Sequence, residues 1–150
     1  MTTTATHTAA SLALLPEREL DALAAEIVMG YVWRTRATGT EAGKYKFLCA
    51  ANSFYGNHPG WVEPNGPAEL YGDATEEVPH YSTSRAAAAL LEQALAERGV
   101  AYRRNAAEWL FRVLNKEVDY GISIFDVCAA MDASAKSRTI AAILAAQEAK

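Results

Sequence analysis

Leu20, Leu23, Ala24, Ile27 and Val28 recur at three- and four-residue intervals, the spacing of a single buried stripe on an α-helix. Pro16 suits the start of that helix. Glu17 and Glu19 complement the positive end of its dipole, and Gly30 follows Met29 as a stop. The stretch 78–99, VPHYSTSRAAAALLEQALAERG, predicts a second helix on which the rest of the chain is organised. Ser82 or Ser84 can accept hydrogen bonds from the free N–H groups of its first turn. Ala87, Leu90, Leu91 and Ala94 supply the apolar stripe, Glu92, Gln93 and Glu97 the wet side, and Gly99 the terminus.

Between these helices, residues 31–35 alternate and carry aromatic and β-branched side chains, which predicts a strand. TGTEAG at 38–43 is a turn, and residues 45–51 predict a second strand pairing back on the first. Gly56, Pro59, Gly60, Pro64, Gly66, Pro67 and Gly72 interrupt 52–79, so a long insertion loop is expected there, with room for short strands at 61–62 and 78–81. Residues 100–104 and 108–114 read as a hairpin turning at 105–107. Trp109, Phe111 and Val113 would face one way, and Leu110, Arg112 and Leu114 the other. Residues 116–121 read as a linker. Ser123 and Asp126 resemble a capping box for a helix through Met131. Ser134 or Ser137 would cap a last helix with Ile140, Ile143, Leu144 and Gln147 on one face. The predicted order is α-β-β-loop-α-β-β-α-α. This is an α+β domain over 12–150, an antiparallel sheet with helices against it, preceded by a threonine- and alanine-rich tail at 1–11.

LDALAAEIVMGYVW at 20–33 and HYSTSRAAAALLEQALAERG at 80–99, with the Trp109 segment and the terminal SRTIAAILAA, resemble the phage ABA sandwich family of small phage and prophage proteins. Members of that family typically show an LDxLVAEKVMGW-like first helix, a PxYSTD-A-A helix start, a hairpin and a closing alanine-rich helix. Ser84 stands where the family often has an acidic residue, and 52–79 and 116–133 read as insertions. The resemblance implies a sheet sandwiched between helical layers, a bacteriophage origin and the host cytoplasm as the place of action. It brings no established activity and no catalytic residues.

Composition narrows the partners. A net charge of −4 disfavours a duplex-DNA binder, which needs a basic face. Cys49 and Cys128 lie in different segments without CxxC or Cys/His spacing, so no disulfide framework, metal site or cofactor is expected. No apolar run approaches the roughly 20 residues that span a bilayer, so no membrane partner is expected either.

The candidate ligand site is Tyr81, Ser82, Thr83, Ser84 and Arg85, where hydroxyls, N–H groups and a guanidinium at a helix start suit a phosphate or carboxylate. Capping alone also explains these residue types. Trp61 joins the candidates as a loop tryptophan. With Trp33, Tyr55, Tyr71, Arg34 and Arg36 it offers rings for a base and cations for its phosphates. His58 and His80 flank the loop and, with Cys49 and Asp73, are candidates for a metal or acid/base group, but they lack i, i+4 spacing and a paired carboxylate. Ser82 and Ser84 lack a GxSxG context, GNHPG at 56–60 is not a P-loop, and Arg103, Arg104 and Arg112 suggest a small basic spot. The expectation is a non-enzymatic phage accessory module that captures a host protein or sequesters a small nucleotide. The alternatives are a phosphodiester hydrolase using His58 or His80, and a homo-oligomeric scaffold joined through the alanine-rich helices.

Overall fold

A computed structural model of the chain describes residues 6–40, 42–65, 74–114 and 124–148, and the side chains of all of these but 124–126. Among them the fold is mixed α+β, with seven helices and one three-stranded antiparallel sheet. The chain runs α1 (Ala9–Ala13), α2 (Glu17–Ile27), β1 (Val32–Arg36), β2 (Lys46–Cys49), α3 (Phe54–Asn57) and β3 (Trp61–Val62). It continues with α4 (Arg85–Arg98), α5 (Val100–Val113), α6 (Ile124–Met131) and α7 (Ala135–Glu148). No described helix is long and apolar enough to cross a membrane.

Helix α7 is the axis of the helical part. Every residue from Thr139 to Ala146 is buried, so the expected single face at Ile140, Ile143, Leu144 and Gln147 widens to the whole circumference. A helix that is apolar all round has to be enclosed, and α1, α2, α4 and α5 all pack on it. Ser134 caps it, its hydroxyl accepting from the Ser137 N–H at 3.1 Å. Helix α1 takes in residues 9–11 of the stretch expected to be a tail. Thr8 and Ser11 form a reciprocal capping box, and Leu12 is fully buried.

Helix α2 follows its predicted stripe. Its end is closed by Gly30 at φ 73° and by the Arg98 guanidinium, which donates to the Val28 carbonyl. Helix α4 also forms where expected, but its buried residues are Ala88, Leu91 and Leu95, while Leu90 is 46% exposed. The stripe is therefore rotated by about one residue, roughly 100°. With alanine at most neighbouring positions, the choice between Leu90 and Leu91 falls to Leu95.

The second hairpin does not form. Residues 100–113 are helix α5, so the order α-β-β-α-β-β-α-α is replaced by one with a single sheet followed by four helices. Tyr102, Ala106, Trp109 and Val113 all pack on the main core, at helical spacing. Leu110 meets Ala133 and Ala141 on an adjacent flank. Strand alternation and helical periodicity overlap in a segment this rich in apolar residues, and a turn at Asn105-Ala106-Ala107 lacks the glycine that would break the helix. Gly99 alone, at φ 134°, separates α4 from α5.

The sheet has the order β2-β1-β3. The expected pairing of the first two strands is present, with Trp33 opposite Leu48 and Arg34 opposite Phe47. Trp61-Val62 adds the third strand, Arg36 pairing with Trp61, whereas 78–81 forms no strand. Side-chain alternation puts Trp33 and Leu48 in the main core, and sends Arg34, Arg36, Phe47 and Trp61 to the opposite face.

Glu26 of α2 sits beside Trp33, and burial pushes its carboxyl above the ordinary carboxylate range, an effect the indole offsets only in part. The folded chain therefore holds this proton to higher pH than the unfolded chain, and Glu26 costs stability as the pH rises through that window. Glu26→Gln is expected to raise Tm relative to the parent at about pH 7 and to leave it nearly unchanged at about pH 4. A difference between the two proteins that is independent of pH in thermal melts would contradict this.

Candidate ligand-binding site

The sequence-predicted site residues fall into two separate places. Tyr81 to Arg85 lie where the chain turns into α4, and this turn is tied down from below by α2. Arg18 donates to Asp21 at 2.8 Å, to the Val78 carbonyl at 2.9 Å and to the Thr75 carbonyl. Asp21 is fully buried, and its second oxygen accepts from the Ser82 N–H at 2.6 Å. The N–H group that a ligand anion would seek there is thus already held by a carboxylate of the chain itself. Thr139 of α7 donates to the Tyr81 carbonyl at 2.9 Å, and the Ser82 hydroxyl donates to the Glu17 carbonyl at 3.3 Å.

Each of the five has its own surroundings. Tyr81 is fully buried in the core. Its hydroxyl has no hydrogen-bond partner among the described residues, and burial, with Tyr31 and Asp21 nearby, drives its phenol far above the ordinary range. Thr83 is exposed. Ser84 caps α4 by accepting from the Ala87 N–H at 3.2 Å. Arg85 reaches across to donate to the Met131 carbonyl at the end of α6. These contacts give every one of these residues except Thr83 a structural partner or a core position.

Trp61 sits elsewhere, on the outward face of the sheet, within a contiguous group of rings. Phe47, Tyr55 and Trp61 meet edge to face, with all three centroid separations between 5.0 and 5.2 Å. Phe54 extends the group at 5.3 Å from Tyr55, and His58 lies 4.8 Å beyond Phe54. The rings come from β2, β3 and α3, and α3 is held close by a specific device. A Cβ on Gly56 would lie 2.5 Å from the carbonyl oxygens of Ala50 and Ala51, so only glycine permits this approach. The Gly56 carbonyl then accepts from Arg34 at 3.4 Å. Arg36 lies over the Trp61 ring at 5.7 Å.

Tyr45, Phe47, Tyr55 and Trp61 line a groove of about 280 Å3, with Glu76 and Glu77 also on its wall. Phe54 is 69% and Tyr45 56% exposed, so apolar surface remains open on this face. The set combines stacking surfaces with cations, as a flat anionic ligand needs. Of the residues expected to stack a base, Trp61, Tyr55, Arg34 and Arg36 come together. Trp33 lies on the core face, and Tyr71 lies outside the described residues. Phe47, Gly56, Glu76 and Glu77 were not anticipated. Phe47 is signalled only by its strand register opposite Arg34.

The remaining candidates are dispersed. The His58 Nδ1 accepts from the Gly60 N–H at 3.0 Å, while the His80 Nδ1 lies 3.3 Å from Arg18, and no contact joins the two rings. Asp73 lies outside the described residues, among which no group of three or more metal-binding side chains occurs. Burial, aided by the charge of Glu77, pushes the Cys49 thiol up, away from the reactive thiolate. Arg103, Arg104 and Arg112 fall on α5, where Arg104 faces Glu108 at 3.9 Å and Arg112 lies over Trp109 at 4.8 Å. A larger groove of about 520 Å3, lined mainly by alanines of α4, α5 and α7, is bordered by the Arg138–Glu92 ion pair at 2.7 Å. Compared with models of known protein families, with curated proteins and with solved structures, the chain matches none.

Asp21 is expected to be the most sensitive polar position in the chain. Asp21→Ala would strand the Arg18 guanidinium and the buried Ser82 N–H, costing about 3 kcal/mol or more, which a domain of this size shows as a fall in Tm on the order of 10 °C. Asp21→Asn keeps an acceptor for Ser82 and should lose less. Thermal denaturation decides it, and a loss under about 1 kcal/mol for the alanine variant would refute the assigned role.

Proposed function

We propose that the chain is a non-enzymatic binding module that takes up a nucleotide on the outward face of its sheet, the base against the rings of Trp61, Tyr55 and Phe47 and the phosphates toward Arg36. The observation that carries this is the groove of about 280 Å3 walled by those rings, with Lys46 on its lining and Arg36 over the Trp61 ring. Between residues 31 and 49 stand Arg34, Arg36, Lys44 and Lys46 against a single acid, Glu41, whereas the whole chain is at −4. Base stacking on aromatic side chains contributes about 1–3 kcal/mol per base, and a nearby guanidinium adds the charge that a phosphate requires. The Tyr81–Arg85 turn supports the site indirectly in this proposal, since Arg18 and Asp21 fix the segment that leads from the groove into α4.

The likeness of 20–33 and 80–99 to the phage ABA sandwich family supports a setting in a phage-infected bacterial cytoplasm. Withdrawing a host signalling nucleotide there would be the useful consequence of binding without turnover.

Calorimetric titration with a panel of linear and cyclic nucleotides tests the proposal. At least one nucleotide is expected to bind, and Trp61→Ala is expected to weaken that binding about tenfold or more, the equivalent of one lost stacking contact. Arg36→Ala is expected to weaken it while leaving Tm nearly unchanged, because Arg36 is exposed. An absence of heat for every nucleotide at protein concentrations of tens of micromolar would remove the proposal.

A further inference from the structure

We infer that the groove selects guanine, with the carboxylates of Glu76 and Glu77 as the specificity determinants; this rests on the nucleotide reading of the same groove. The turn that carries the two glutamates is a built element. The Leu48 N–H on the outer edge of β2 donates to the Ala74 carbonyl at 2.9 Å, which seats the start of the turn beside the rings. The Val78 N–H closes the turn on the Thr75 carbonyl at 3.0 Å, and Arg18 grips the Thr75 and Val78 carbonyls from the inner side. Thr75 and Val78 are buried, while Glu76 and Glu77 between them are exposed and border the aromatic groove. Neither carboxylate has a hydrogen-bond or ion-pair partner among the described residues.

The chemistry of a carboxylate then restricts the base. Ionised, it offers acceptors only, two oxygens in a fork that fits two parallel donors. Guanine alone among the common bases presents two adjacent N–H donors on its Watson–Crick edge, from N1 and N2. Adenine and cytosine each offer one amine beside an acceptor nitrogen, and uracil places its single N–H between two carbonyls, so a carboxylate facing any of these also meets a lone pair. With the base against Trp61 and Tyr55 and its edge on the glutamate turn, the ribose and phosphate lead out toward the basic hairpin and Arg36.

Isothermal titration of the full chain with GMP, IMP, AMP, CMP and UMP tests this. GMP is expected to bind about tenfold or more tightly than AMP, CMP or UMP, the discrimination expected of one bidentate pair, with IMP, which lacks the N2 amine, in between. In the Glu76→Gln, Glu77→Gln double variant the GMP-to-AMP ratio is expected to fall toward one, with Tm unchanged. Equal affinity for GMP and AMP in the parent, or a ratio that persists in the double variant, would overturn guanine selection and leave nucleotide binding standing. Binding of none of the five would overturn both.

Discussion

From Thr139 to Ala146 the last helix has no wet side. A helix in that condition is stable only when other elements surround it, and here half of those positions are alanine, whose small side chain lets neighbouring backbones come close. Four helices pack on it, and their arrangement follows from sharing one narrow axis. Polar contacts then fix the angles. The Thr139 hydroxyl, fully buried, holds the Tyr81 carbonyl and so the entry to α4, and Trp109 of α5 donates to Glu148 at the far end of the axis at 2.6 Å. The sheet joins this assembly through Trp33 and Leu48 alone among its paired residues, which leaves its other face to be covered by whatever the loops provide.

Arg18 and Asp21 carry that order from the helices to the loops. The buried carboxylate is neutralised by a guanidinium one helical turn away and accepts a backbone N–H from a residue 61 positions further on. The same guanidinium satisfies carbonyls of the 75–78 turn. A surface segment that would otherwise cost considerable conformational entropy to order is thereby fixed at both ends. Its other end is joined to the outer edge of β2, where the Leu48 N–H donates to the Ala74 carbonyl.

Much of this was legible in the sequence wherever one local rule sufficed. Pro16, Gly30, Ser84 and Gly99 bracket two helices correctly because capping and positive-φ positions are decided by a few neighbouring residues. The strand pair 31–35 and 45–51 is visible because the intervening TGTEAG can only turn. Residues 100–104 and 108–114 read as a hairpin because Trp109, Phe111 and Val113 alternate at the same time as Tyr102, Ala106, Trp109 and Val113 fall at helical intervals, and the neighbouring α7 chooses between the two periods. The turn into α4 shows the same limit at the level of chemistry. Its hydroxyls announce a cap, and Ser84 provides one, but nothing near Ser82 announces that a carboxylate from α2 takes its N–H. Trp61, Tyr55, Arg34 and Arg36 could be grouped by composition; Phe47 could be added only from the pairing register, and the glutamate turn only from the returning loop.

The location of the candidate site follows from the sheet having two unequal faces. Strand alternation that commits Trp33 and Leu48 to the core must send Arg34 and Phe47 outward, and the helix packed there among the described residues is the four-residue α3. Edge-to-face packing lets Phe47, Tyr55 and Trp61 shield one another, but each remains half-buried, and Phe54 and Tyr45 stay largely open. The turn into α4, in contrast, already commits the Ser82 N–H to Asp21 and the Ala87 N–H to Ser84. A flat ligand on the sheet face would cover apolar rings, meet a guanidinium already poised over one of them, and oppose carboxylates that have no partner among the described residues. On energetic grounds, therefore, the outer face of the sheet is where an additional molecule has most to contribute.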